Sequence, residues 1–167
     1  MRDVRNLPKS LEAVFGPGYK KRFGLHPYPP LSPTPPIPGG GLLAQHHLAG
    51  YRSGPVYLRN AMHVPPPHEG VREAMPAFFA LLTAETSPIV RVVLGHFFFV
   101  NIHPYFDGNG RIGRFVMNSM MAAAGLPWTV IHVDDRAEYM HTLDQASAHG
   151  NIEPFCRFLL KTIVSIP

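Results

Sequence analysis

The chain has 167 residues, with 15 Lys and Arg against 11 Asp and Glu and a net charge of +4. Hydrophobic residues make up 46% and charged residues 16%, which excludes a chain that is disordered throughout and predicts one buried core. No apolar run is long enough to cross a membrane and none follows the first residues, so we expect neither a membrane span nor a signal peptide.

Residues 1–41 are expected to form an N-terminal extension. A short helix is predicted around Lys9–Phe15, and seven of the 19 prolines follow between Pro27 and Pro38. Proline fixes φ and donates no hydrogen bond, so this segment is expected to be an extended surface strap or a linker. Residues 42–167 are then the main domain, which opens with a helical turn or two at Leu42–Ala49.

A small β-hairpin is predicted near the start of the main domain, over about residues 55–64. Its strands would be the β-prone runs Pro55–Arg59 and Met62–Val64, and three prolines follow it.

The rest of the chain is expected to be helical. Apolar residues recur with a helical period, and the run Ile89–Ile102 is apolar all round, which is typical of a buried central helix. Ser87, Asp134 or Asp135 are candidate N-caps, and Gly125 and Gly150 are candidate helix ends. The predicted helices are Glu69–Ala84, Ile89–Ile102, Asn109–Ala124, Arg136–Ala148 and Pro154–Val164. The predicted fold class is therefore all-α, a helical bundle with one small hairpin.

The segment His103–Arg114 combines residues that suit phosphate chemistry. Gly108 and Gly110 allow backbone N–H groups to converge where a helix begins, which favours an anion site. Arg111 and Arg114 are three residues apart on that helix, so we expect both guanidinium groups near the phosphates.

Two further side chains complete this pattern. Asp107 is an oxygen ligand placed for a phosphate-bound Mg²⁺, and His103 can act as the base for an attacking hydroxyl. The residues together indicate phosphoryl or nucleotidyl transfer.

The same stretch matches a dinucleotide-binding fingerprint, G-x-G-x-x-G, at Gly108–Gly113. That fingerprint requires a strand leading directly into the first glycine and a chain that alternates strands with helices. Neither is predicted here, so a dinucleotide-binding fold is not favoured.

His103–Arg114 resembles the signature of Fic (filamentation induced by cAMP) domains, HPFx[D/E]GNGRxxR, and departs from it only at Tyr105, where Phe is usual. The resemblance extends over about Gly50–Lys161. Gly50-Tyr-Arg with His63-Val-Pro-Pro66 is similar to the flap hairpin of the family, and the segments before and after the motif are similar too.

The resemblance implies a protein adenylyltransferase that uses ATP and Mg²⁺ to transfer AMP to a Ser, Thr or Tyr hydroxyl. By position in the motif, His103 would be the general base and Asp107 the Mg²⁺ ligand. The turn Gly108-Asn109-Gly110 would cradle the phosphates, with a donor from the Asn109 side chain, and Arg111 and Arg114 would bind the β- and γ-phosphates. Members that phosphorylate carry Lys where this chain has Gly110, so the resemblance favours AMP transfer.

Two further correspondences concern the adenine base of ATP and the target protein. Tyr139 matches one of two tyrosines that flank adenine in relatives, and Met140 stands where the other would be. Val56, Tyr57 and Leu58 would dock an extended segment of the target protein by adding a strand.

Alternatives stay open at this point. Relatives transfer other phosphate-containing groups, and a nucleotide-binding regulatory module without transfer activity is a second class. Many relatives are inhibited by a helix with the pattern [S/T]xxxE[G/N], whose Glu pairs with the second arginine of the motif. None of the six glutamates of this chain stands in that pattern, so an inhibitor is expected to be a separate, antitoxin-like protein or a segment outside this chain. Basic residues are spread out, so we expect no nucleic-acid partner and no membrane partner. A cytoplasmic location is expected, with delivery into another cell left open.

Overall fold

A computed structural model of the protein describes residues 50–59 and 61–164. These residues form helices and no strand, which confirms the predicted all-α class. The helices are α1 (His68–Ala84), α2 (Pro88–Ile102), α3 (Asn109–Ala123), α4 (Arg136–His149) and α5 (Glu153–Val164). The helices predicted at 9–15 and 42–49, the Pro-rich strap and the domain boundary at 41/42 lie outside the described residues.

The helix ends follow the local sequence in part. Gly150 ends α4 in the left-handed conformation, at φ 69°, and Gly125 adopts φ 70° just after α3, as their lack of a Cβ allows. Ser87 and Asp135 occupy N-cap positions, but neither side chain makes a capping hydrogen bond. The predicted positions are therefore confirmed, whereas the predicted capping bonds are absent from these two helix starts.

Helix α2 is the centre of the core. Eleven of its 15 residues are buried, and it packs against α1 on one side and α3 on another, while α4 packs against α5. The backbones of α2 and α3 approach closely at Gly113, where a Cβ atom would lie 2.9 Å from Cγ1 of Val100. This contact fixes the end of α2 relative to the start of α3, between which the His103–Asp107 stretch runs.

The predicted β-hairpin at about residues 55–64 is wrong. Residues 50–59 and 61–67 contain no strand. The N–H of Met62, which a hairpin would donate to its partner strand, is donated to Oδ1 of Asp144 on α4 at 3.2 Å. An isolated two-stranded hairpin is marginal in water, so bonds from this segment to the helices replace the predicted pairing.

Among the described residues, no helix is both long enough and apolar enough to cross a membrane.

Candidate active site

His103 ends helix α2 in an unusual backbone conformation. Its φ of 52° and ψ of 59° are left-handed, and it is the one non-glycine residue with positive φ among those that the structure describes. Its N–H donates to the carbonyl of Phe99 at 3.1 Å. The chain therefore leaves α2 sharply at His103, and α3 begins only six residues later, at Asn109.

The imidazole of His103 has a defined tautomer. Its Nδ1 atom lies 3.2 Å from the carbonyl oxygen of Val100. A carbonyl only accepts hydrogen bonds, so Nδ1 carries the proton and Nε2 keeps its lone pair. The ring thus has the form that a general base needs.

The electrostatic surroundings of His103 keep it neutral. Burial lowers its pKa below the usual value; the hydrogen bond to Val100 opposes this, and the charge of Arg52 adds to the lowering. This shift favours the neutral imidazole, the form that can accept a proton from a hydroxyl.

The first turn of α3 presents backbone donors beside this histidine. Gly108 precedes the helix at φ 81°, and no side chain caps the turn, so its first N–H groups have no partner within the helix. A Cβ atom on Gly110 would lie 3.6 Å from Nη1 of Arg114, which shows that this guanidinium lies along the same turn. Backbone donors, the helix dipole and one arginine thus lie at the same helix start, an arrangement that suits an anion.

The other two charged motif residues lie further out. Arg111 and Asp107 form an ion pair at 3.4 Å, with side chains 76% and 73% exposed. The two arginines that were predicted to act together thus differ, since Arg114 is half-buried and Arg111 is exposed. Among the described residues, no three His, Cys, Asp or Glu side chains gather into a metal site, so a cation at Asp107 would share this single carboxylate with other ligands.

Asn109 points inward. It is only 2% exposed; its Oδ1 accepts the N–H of Tyr105 at 2.9 Å and its Nδ2 donates to the Tyr105 carbonyl at 2.7 Å. The amide that the sequence interpretation assigned to a phosphate therefore holds the preceding loop in shape. Donors for an anion at this turn would therefore come from the backbone and not from the Asn109 amide.

A cavity of about 540 Å³ opens beside these groups. Of the predicted residues, His103, Gly110, Arg114, Tyr139, Tyr57 and Leu58 line it, whereas Asp107, Gly108, Asn109, Arg111 and Val56 do not. Ile131, Val133, Met140 and Leu143 provide an apolar wall. The cavity therefore has a charged end and an apolar part, as a nucleotide would require.

Tyr139 touches this cavity mainly from the core. The residue is 7% exposed, its hydroxyl bonds to Nε2 of His96 at 2.9 Å, and its ring contacts Phe155 and Phe158. Burial raises the pKa of Tyr139 to about 12. Ile131 and Val133, in the loop before α4, are thus more open to a nucleobase than the Tyr139 ring, and composition alone gave no sign of that loop.

Sequence reasoning assigned no role to the buried Arg52 or to the half-buried His63, which lines the cavity. Nε of Arg52 donates to the carbonyl of His103 at 2.8 Å, and Nε2 of His63 lies 2.8 Å from the carbonyl of Asn101. Both were within the segments that carried the family resemblance, but a pattern in the chain does not show which helix end they contact.

The fold and the site define a helical domain in which a histidine, the glycine-rich start of a helix and an arginine line one cavity. Residues 40–121 match the family model described as the Fic/DOC family, and by this match the chain belongs to that family. The chain is 40% identical over 115 residues to the protein adenylyltransferase Fic of Nematostella vectensis, and 37% identical over 113 residues to that of Drosophila ananassae.

These alignments cover 66% and 65% of this chain but 26% and 22% of the two relatives, so the chain spans about a quarter of the curated relatives' length. Among solved structures, Fic-1 (aa134–508) from C. elegans matches with a TM-score of 0.59 and 33% identity, over 67% of this chain and 33% of that one. A Fic domain containing signaling protein from Bacteroides thetaiotaomicron matches with a TM-score of 0.61 and 26% identity, over 68% and 50%.

Proposed function

We propose that this protein transfers AMP from ATP to a hydroxyl side chain of a target protein. The observation that carries the proposal is His103, whose Nε2 lone pair is available in the cavity that Gly110 and Arg114 also line. The relatives named protein adenylyltransferase support the same reaction. The chain represents a fraction of their length, so the activity is a proposal for this protein.

In this reaction the target hydroxyl oxygen attacks the α-phosphorus of ATP. Nε2 of His103 takes the hydroxyl proton, a P–O bond to AMP forms, and the bond from the α-phosphorus to the bridging oxygen breaks. Pyrophosphate leaves with the electron pair of that bond. The first turn of α3 and Arg114 would hold the phosphates and stabilise the charge on the leaving group.

ATP is the substrate in this proposal, and Mg²⁺ would arrive with it. The Asp107 side chain is exposed and would bind the cation together with phosphate oxygens. The cation would neutralise charge as the bond to pyrophosphate breaks. Arg111 pairs with Asp107 and would turn to a phosphate when the cation takes the carboxylate.

Gly110 favours a nucleotide placed for AMP transfer. A side chain at this position would project toward the guanidinium of Arg114, inside the cavity, and would take space from the phosphates. Transfer of another phosphate-containing group is the alternative that the same cavity admits, and a transfer assay with other nucleotides distinguishes it.

The target would approach over residues 56–58. Val56 and Leu58 are half-buried, while Tyr57 is 52% exposed and, with Leu58, lines the cavity. We assign these three residues to target docking, and the half-exposed ring of Tyr57 would be the anchor. An inhibitory partner, where one exists, would have to place an acidic group on Arg114 in competition with phosphate.

The test is label transfer. The protein is incubated with α-³²P-labelled ATP and Mg²⁺, alone and with a cell lysate, next to a matched sample with γ-³²P-labelled ATP. Label from the α position and none from the γ position supports AMP transfer. Label from the γ position alone indicates phosphorylation, and binding of ATP with no label transferred indicates a regulatory module; either result contradicts the proposal.

A further inference from the structure

The guanidinium of Arg52 is buried among backbone carbonyls. The residue is 3% exposed. Nε donates to His103 O at 2.8 Å, Nη1 donates to Gly54 O at 3.0 Å, and Nη2 donates to Pro66 O. Nη2 also lies 3.5 Å from Ile102 O. One side chain thus ties the segment around residues 50–66 to the end of α2.

The main chain of Arg52 reinforces this contact. Its N–H donates to the carbonyl of Pro104 at 2.8 Å, so Arg52 binds two consecutive carbonyls, those of His103 and Pro104. The contact spans 51 positions of sequence, from the start of the described chain to the motif.

The end of a helix is where a cation is most effective. The last carbonyls of α2 have no partner within the helix, and the helix dipole makes this end negative. His63 supplies the donor for Asn101 O, and Arg52 supplies donors for the following residues. A planar guanidinium can serve several carbonyls at fixed angles, which an ammonium group cannot do.

His103 requires such support. A non-glycine residue in the left-handed region is strained, and it persists only when its surroundings determine the conformation. The Nδ1 contact to Val100, which sets the tautomer, is made with the backbone in this conformation.

We propose that Arg52 is a positioning residue for His103: by binding the His103 and Pro104 carbonyls, it holds the left-handed turn that aims Nε2 of His103 into the cavity. The inference rests on the proposed AMP transfer for its kinetic consequence, but not for its structural one. Arg52 is not among the residues that line the cavity, so its effect on the chemical step is indirect.

The experiment compares Arg52→Met and Arg52→Lys with the wild type. In the transfer assay we expect kcat of Arg52→Met to fall about 10- to 100-fold with KM for ATP nearly unchanged, because a misplaced base affects the chemical step and not the phosphates. Arg52→Lys keeps the charge but not the fork of donors, and we expect it to recover only part of kcat.

A second readout does not depend on activity. Imidazole ¹⁵N chemical shifts report the His103 tautomer, and we expect one tautomer protonated at Nδ1 in the wild type and a mixture of tautomers in Arg52→Met. If the wild type transfers no AMP, the proposed function fails while this measurement still decides the role of Arg52. If Arg52→Met does not fold, Arg52→Lys serves for the same spectra.

Val71→Ala is the matched control, because Val71 is a fully buried residue of α1 and does not line the cavity. We expect it to lower thermal stability while leaving kcat and the His103 shifts unchanged. A wild-type His103 tautomer in Arg52→Met, full recovery of kcat in Arg52→Lys, or an equal loss of kcat in Val71→Ala would each overturn the proposal.

Discussion

Nε2 of His96 lies 2.9 Å from the hydroxyl oxygen of Tyr139, in the centre of the core. On the other side of the ring, Nδ1 lies 2.9 Å from the carbonyl oxygen of Gly113. Since the carbonyl can only accept, Nδ1 carries the proton and Nε2 accepts a hydrogen bond from the tyrosine. A single imidazole on α2 therefore joins α3 and α4 directly behind the cavity.

This relationship predicts how stability depends on pH. Burial lowers the pKa of His96 to about 4, with the Gly113 hydrogen bond opposing the shift and Arg114 adding to it. Between pH 6.5 and 4 the unfolded chain therefore binds a proton that the folded chain does not. The free energy of unfolding then decreases as the pH is lowered from 6.5 to 4, by up to about 3 kcal/mol. Denaturant unfolding of the wild type and of His96→Gln over this range measures the effect.

The difference between the two proteins isolates His96, because burial also lowers the pKa of His63 and of His103 and these act in the same direction. Equal pH slopes in the two proteins would show that His96 does not titrate as expected.

Tyr139→Phe tests the assignment of Tyr139 to the core. The variant keeps the ring but leaves Nε2 of His96 without its donor, which we expect to lower the free energy of unfolding by about 1–3 kcal/mol. ATP affinity, measured by calorimetry, should remain near the wild-type value. A large loss of ATP affinity at unchanged stability would contradict this assignment and indicate that Tyr139 contacts the nucleotide.

His103→Ala and Arg114→Ala separate the proposed base from the proposed phosphate ligand. Loss of a general base typically costs about 10²–10⁴-fold in rate, so we expect His103→Ala to lose AMP transfer and keep ATP binding. Arg114→Ala should weaken ATP binding itself, because it removes a charge from the anion site. Calorimetry and the transfer assay together check both, and the reversed pattern would contradict the assigned roles.

Asn109 and Asn118 provide a matched pair on α3. Asn118 binds the backbone of Thr129 in the same way as Asn109 binds that of Tyr105. Its Oδ1 accepts the Thr129 N–H at 2.7 Å, and its Nδ2 donates to the Thr129 carbonyl at 2.9 Å. We expect Asn109→Ala and Asn118→Ala each to lower the free energy of unfolding by about 1–3 kcal/mol. Only Asn109→Ala should also reduce AMP transfer, because only its loop carries the motif. Equal transfer activity in the two variants would argue against this loop role.

Gly113→Ala tests the close approach of α2 and α3. The new methyl group would lie 2.9 Å from Cγ1 of Val100, a stiff β-branched side chain. We expect the free energy of unfolding, measured by thermal unfolding, to fall by about 1–3 kcal/mol. Gly110→Ala is the control for stability, because its methyl group would meet only Arg114 Nη1 at 3.6 Å. A Gly113→Ala protein as stable as the control would mean that the two helices can separate at little cost.

The helices and the glycine turn before α3 could be predicted from the sequence because their causes are local. Apolar spacing defined the helix faces, Gly150 provided a left-handed helix end, and the glycines before α3 exposed its first N–H groups. The same local rules identified His103 and Arg114, which the structure brings to one cavity.

The tertiary structure decided which partner each polar group takes. Val56, Tyr57 and Leu58 suggested a strand, yet the following Met62 donates to Asp144, 82 positions away. In the same way, Asn109 turns to Tyr105 and Arg52 reaches His103 across 51 positions. Buried donors and acceptors must be paired, but the sequence does not state with whom; only the packing of α2 against its neighbours brings these partners within hydrogen-bonding distance.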